Sequence, residues 1–400
     1  GSSSPARARH VAYRWCARRA TPLPVMELSL DLLLYVALLV LFVWRGLCPW
    51  RCCGKWLQVF NYASLLYVLM HALIVVEVVL LVRAAIRDFR GPPSAEVDDR
   101  NISWIRWVVL CSLLPMIATL ALAWRQTQEH VGKIRKRKAE LQHDRAVQII
   151  ALPPVYGLMA MSSLTQLYLL AASAGQPDDV QRQVFFSRYD TCFFVADLYE
   201  AWALYQLGAL TLEVLGATLA QRDGRDMDML LSYSAVSSLM WLGTALFVVV
   251  CVAQAGWSLW QWTVMNAASD FEAYEGNLRQ FTYAGLLASG AAIYNVHTVE
   301  HTYASLLGSY SPLLKFLSVK TLVFFSFWQR GTLDLLRRVG ILRFSKMQVE
   351  LLHSALLVYE CFASALLHRW AWGADEEWYD LGAADQAKDR AAAARESDPL

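Results

Sequence analysis

The sequence predicts an all-α fold, a polytopic integral membrane helical bundle. Three observations carry that reading. The 400-residue chain is 56% hydrophobic and only 18% charged, more apolar than a soluble domain of this length needs to be. Several uninterrupted apolar runs reach the roughly 20 residues that cross a bilayer as helix. The charged residues gather between those runs. A net charge of +2 gives no footprint for nucleic acid.

Nine apolar segments can be drawn, at about 28–44, 57–82, 102–124, 146–172, 191–220, 231–255, 282–307, 313–336 and 349–372. Each is expected to be helical, because backbone groups in lipid must satisfy one another within the segment. Residues 1–25 hold Arg7, Arg9, Arg14, Arg18 and Arg19 without an acid, and read as a targeting or non-native segment ahead of Met26. Residues 26–100 form an N-terminal transmembrane region, 101–372 a seven-helix domain, and 373–400 an acidic tail expected to be disordered. Cys48, Cys52 and Cys53 sit beside Arg45, Arg51 and Lys55 just past the first run. They are either plain loop cysteines or candidates for acylation. The eight scattered cysteines contain no CxxC pair and point away from a disulfide framework.

Orientation follows from Lys and Arg in short loops. Residues 125–145, with Lys133, Arg135, Lys136, Arg137 and Lys138 among them, are expected in the cytosol. Counting forward puts the C-terminal tail on the same side and the basic loop 337–348 outside, which conflicts with the rule at that loop.

Polar residues inside apolar runs are the functional candidates, since a charge there costs roughly 2.5–3.5 kcal/mol on insertion scales. Segment 191–220 carries Asp197, Glu200 and Glu213, the first two on one helix face. Segment 313–336 opens KFLSVKTLVFFSFWQ, with Lys315 and Lys320. Counting 1.5 Å per residue puts Glu213 roughly 6 Å and Lys320 roughly 10 Å from the cytosolic ends of their helices. The pair Lys320–Glu213 is therefore expected, with Lys315 snorkelling to the headgroups. His297, Glu300 and His301 form an H-x-x-E-H string with metal-ligand spacing. It reads either as bundle-lining polar residues or as a metal site, with His353 and Glu360 as conceivable partners; no cofactor is expected. Pro153-Pro154 implies a kink.

Two blocks resemble the organic solute transporter alpha-subunit family, which includes transmembrane-184 and Lazarus-like proteins. Lys315, Phe316, Leu317, Val319, Lys320, Val323, Phe324, Phe327, Trp328 and Gln329 fit the first pattern. Asp197, Leu198, Tyr199, Glu200 and Ala201, with Tyr205, Glu213 and Gly216, fit the second. Weaker echoes are Pro154-Val155-Tyr156, Asn295 with Tyr303, and Glu360 with His368. The resemblance spans about 102–372. It implies a seven-helix core, here with one or two extra N-terminal transmembrane helices, and facilitative transport of amphipathic anions without catalysis. It also implies membrane lipids and a single-span beta-type subunit as partners, beside self-association. The expected path or polar network comprises Asp197, Tyr199, Glu200, Glu213, Asn295, Lys320, Gln329 and Glu360, in a plasma or internal membrane. Two alternatives stand beside it: a non-transporting receptor-like or trafficking scaffold, and a metal-binding intramembrane protein.

Overall fold

The computed structural model describes residues 62–90, 103–136, 140–171, 179–221, 227–264 and 271–380. The first apolar run and Cys48, Cys52 and Cys53 lie outside the described residues. The described residues all belong to one compact unit beginning at Tyr62. They form α1 (Tyr62–Arg90), α2 (Ser103–Cys111), α3 (Leu113–Arg135), α4 (Glu140–Ile150), α5 (Leu152–Ala171), α6 (Asp179–Gln221), α7 (Met227–Val264), α8 (Phe271–Thr302), α9 (Pro312–Arg338) and α10 (Lys346–Ala371). No strand occurs among them.

Eight of the nine expected segments are helical, and two are divided where proline removes a backbone donor. Ahead of Pro115, the chain breaks at Ser112, whose hydroxyl donates to the Val109 carbonyl at 2.5 Å. Ahead of Pro153 and Pro154, it breaks at Ala151. There the Tyr199 hydroxyl donates to the Gln148 carbonyl at 2.7 Å and Trp202 donates to the Gln148 side chain at 2.9 Å, so α6 supports the break in α4–α5.

Among the described residues, five stretches are long and apolar enough to cross a membrane: Leu65–Ile86, Arg106–Arg135, Leu141–Ala171, Ser232–Gln261 and Lys346–Ala371. The apolar 18-residue window within Leu141–Ala171 is wholly enclosed by protein. Helix α5, at its centre, packs on α1, α3, α6 and α10. Helix α7 packs between α6 and α8, and α9 lies against α6 and α10. Local signals set the ends of the last two helices. Pro312 opens α9 at a position where its missing donor is harmless. Gly340 follows α9 in the left-handed conformation, φ 81°, with its amide donating to Arg337. Ser345 and Gln348 exchange hydrogen bonds as a capping box at the start of α10.

Two expectations need correction here. Residues 373–380, assigned to a disordered tail, are packed: Trp378 is 1% exposed and Tyr379 is buried with it. Their aromatic rings outweigh the acids that marked the segment as a tail. Residues 125–145, read as a loop, are largely helix, divided between the end of α3 and the start of α4.

Candidate functional site

Two of the buried charges, Lys315 and Lys320, lie on α9. Lys320 faces α6, α7 and α8 at once. Its ammonium donates to Glu200 of α6, lies 3.4 Å from the Ser289 hydroxyl of α8, and sits 5.3 Å over the Phe247 ring of α7. Glu200 is 2% exposed and Lys320 is buried. Asp197, one turn from Glu200, approaches the Tyr156 hydroxyl of α5 at 3.3 Å, and that hydroxyl lies 3.3 Å from Ser326 of α9 as well.

The expected partner of Lys320 was Glu213, and the structure replaces it with Glu200. Depth alone did not decide the pairing. Thirteen residues at about 100° each put Glu213 roughly 140° around α6 from Glu200, on a face that looks elsewhere. There Arg145 of α4 meets it at 2.8 Å. Arg145 had been assigned to a solvated loop, so its availability as a counter-ion could not be seen.

Lys315 is also corrected. It does not snorkel: it is 1% exposed and pairs with Glu376 at 2.6 Å. The rings of Tyr310, Trp372 and Trp378 surround its ammonium at 5.0, 5.2 and 5.3 Å, within the range of cation–π attraction. Glu376 is itself fixed by the Gly373 amide at 2.8 Å and the Trp378 indole at 2.5 Å. The segment after α10 is tied to α3 and α4 as well. Gln126 donates to the Trp372 carbonyl at 2.7 Å, Tyr379 stacks on His143 at 4.0 Å, and Lys133 pairs with Asp375. The Lys133 ammonium holds the Asp375 carboxyl below the usual carboxylate range, whereas burial pushes the Tyr379 hydroxyl well above its ordinary value.

Two predicted residues meet each other: Gln329 of α9 donates to Glu360 of α10 at 3.0 Å. Tyr199 serves the α4–α5 break described above. Asn295 lies apart from the charged pairs and ties α8 to α7, donating to the Leu239 carbonyl at 2.9 Å. His297 and His301 are exposed, with ring centroids 6.2 Å apart and Glu300 between them in sequence. No group of three or more His, Cys, Asp or Glu side chains suited to a metal occurs among the described residues. His353 and Glu360, the suggested partners, are engaged elsewhere.

One cluster escaped the sequence reading. Arg330 lies 3.0 Å from Asp190 and 3.4 Å from Glu350, with the Tyr189 ring at 5.1 Å. Tyr189 bonds His353 Nδ1 at 2.8 Å, and His353 Nε2 reaches the Ser326 carbonyl at 3.2 Å. A carbonyl only accepts, so Nε2 carries the proton and Nδ1 of the neutral ring accepts from Tyr189. Arg330 directly follows Gln329 inside the same apolar run, a signal available in the sequence. Glu77, fully buried on α1 within the run 57–82, was equally visible.

This is an integral membrane helical bundle with interior charges held between helices, several of them on a seam that follows α9. The chain matches the family model described as organic solute transporter Ostalpha over residues 104–377, and it belongs to that family. No solved structure matches the chain. Both blocks of the seam, around Asp197–Glu200 and Lys315–Arg330, lie within the matched residues. Helix α1 lies before them yet packs on α5.

Proposed function

We propose that the protein is a facilitative carrier of amphipathic organic solutes, of the sterol-, bile-acid- or lipid-like anion class. Seven helices of the 101–372 region span the bilayer, and the end bearing Lys133 and Arg145 faces the cytosol. The observation that carries the reading is Lys320. It is a cation placed deep among four helices, within the residues that match a solute-transporter family. Apolar surface would accommodate the body of the solute, and Lys320 its acidic group. Asp197 and Glu200 would shape the charge around that group. No bond is made or broken, so no catalysis or cofactor is required. Membrane lipids surround the bundle, and a single-span beta-type subunit or a second copy would complete the assembly.

The test is uptake of a labelled steroid sulfate and a labelled bile acid into proteoliposomes. Saturable uptake exceeding that of protein-free vesicles is the expected result, reduced strongly by Lys320→Met. Uptake no faster than in empty vesicles across both solutes removes the reading.

A further inference from the structure

Lys315 is enclosed by groups of two kinds. The first belong to the helical frame. Tyr310 precedes α9, and its hydroxyl lies 3.3 Å from that of Thr211 of α6. Trp372 ends α10; its indole donates to Ser318 at 3.0 Å and its carbonyl accepts from Gln126 at 2.7 Å. The second belong to the segment 373–380 that follows α10. Glu376 supplies the carboxylate, and Trp378 supplies the third ring, which meets Tyr310 edge-on at 4.9 Å. A carboxylate and a flat apolar group, two residues apart, thus sit on a cation flanked by two framework rings. An amphipathic organic anion offers the same pair of groups.

We propose that the Lys315 box is a second anion station, filled in this structure by the chain's own Glu376 and Trp378, and that an amphipathic sulfate, sulfonate or carboxylate binds there by displacing them. The proposal rests on the carrier reading above and deepens it. Residues 373–380 compete with the solute at the end of the bundle which that reading places in the cytosol.

The position of the segment suits displacement. Glu376 stands at the edge of the box, its side chain 26% exposed against 1% for Lys315. A cleft of about 350 Å³ opens beside it, lined by Glu129, Arg369, Gly373, Ala374, Asp375 and Glu376; that is at the small end of the range for ligand sites. The segment is held to α3 by an exposed ion pair, Lys133 with Asp375, a kind of contact worth little. It is held to α4 by Tyr379 stacked on His143.

On displacement Glu376 returns to water, and one anion has replaced another on Lys315. No proton moves, and the charge of the box is unchanged. A group tethered through Gly373 and Ala374 competes at an effective concentration of about millimolar, so a solute binds the intact protein weakly. An uncharged steroid offers the ammonium no counter-charge and leaves the segment in place. Lys320 lies five residues further along α9, roughly 7.5 Å deeper. Lys315 is therefore where an anion waits before or after it passes Lys320.

The first experiment titrates the full chain in phosphatidylcholine nanodiscs with a steroid sulfate and with its uncharged parent steroid. Glu376→Gln should bind the sulfate about tenfold more tightly than the wild type, and the parent steroid equally. Lys315→Met/Glu376→Gln should lose that gain. Tyr379→Ala loosens the segment without altering a charge and leaves the Lys315–Glu376 pair whole. It too should tighten sulfate binding, and it carries the test if Glu376→Gln does not fold. Sulfate binding that is unchanged or weaker in a folded Glu376→Gln or Tyr379→Ala protein overturns the proposal. So does a gain that survives Lys315→Met.

The second experiment follows amide hydrogen exchange in the wild type. The Gly373 and Tyr379 amides both donate to Glu376. Saturating sulfate should speed exchange over residues 373–379, and the parent steroid should not. Exchange that is unchanged or slowed by the sulfate overturns the proposal. If the sulfate binds with both signatures yet does not enter proteoliposomes, the carrier reading falls and the station stands. If it enters while binding ignores Lys315, Glu376 and Tyr379, the station falls and the carrier reading stands.

Discussion

Lys315, in the first turn of α9, and Glu376, beyond the end of α10, meet at 2.6 Å inside a box of three aromatic rings. This contact joins the start of one helix to the segment after the next. Removing the carboxylate leaves a fully enclosed ammonium without its counter-charge. Glu376→Ala should therefore lower stability by about 3 kcal/mol. It should be read as a fall in Tm in detergent, with Lys315→Met/Glu376→Ala recovering part of the loss.

Charge exchange separates the two candidate partners of Lys320. Lys320→Glu puts three carboxylates around one site and should reduce the yield of monodisperse protein. Glu200→Lys should restore it when combined with Lys320→Glu. Glu213→Lys should not, because that residue faces Arg145 at 2.8 Å. Size-exclusion profiles of the single and double variants provide the comparison.

Helix α7 presents Gly243 to Asn295 and Ala291 of α8. A Cβ added there would stand 2.2 Å from the Asn295 amide nitrogen, forcing that side chain off the Leu239 carbonyl. Gly243→Ala should cost about 1–3 kcal/mol as overpacking. The loss should be partly relieved by Asn295→Ala. Gly256→Ala on the same helix meets nothing within 4 Å and serves as the control.

The Tyr199 hydroxyl does a smaller job. Tyr199→Phe removes a donor from the Gln148 carbonyl at the α4–α5 break and should cost about 1 kcal/mol. The change should appear as faster amide exchange around Ala151, while Trp202→Phe, which removes the other bond to Gln148, should add to it.

The helices were legible because apolar runs and prolines are local signals: Pro115 and Pro153-Pro154 lie at the two places where runs divide. The presence of buried charge was legible too, since Asp197, Glu200, Glu213 and Lys320 interrupt apolar runs. Their pairing was not. It depends on how far each helix is rotated about its axis, which sent Glu213 to Arg145 and left Glu200 for Lys320. The aromatic box was hidden for a different reason. Tyr310, Trp372 and Trp378 lie on separate segments, and acids such as Asp375 and Glu376 gave their neighbourhood the composition of a solvated tail. Asn295 was correctly singled out as polar, but a bond between α7 and α8 looks the same in sequence as a residue lining a path.

The near-complete burial of α5 has a consequence for how the protein is made. Its central helix α5 is covered by α1 and α3, which precede it, and by α6 and α10, which follow. Synthesis delivers the middle of the molecule long before its last wall. Until residues 346–371 leave the ribosome, one side of α5 has lipid or another protein where α10 belongs. A chain stopped short of residue 346 would therefore expose its most deeply enclosed surface, and quality control could detect that vacancy while every earlier helix is already in place.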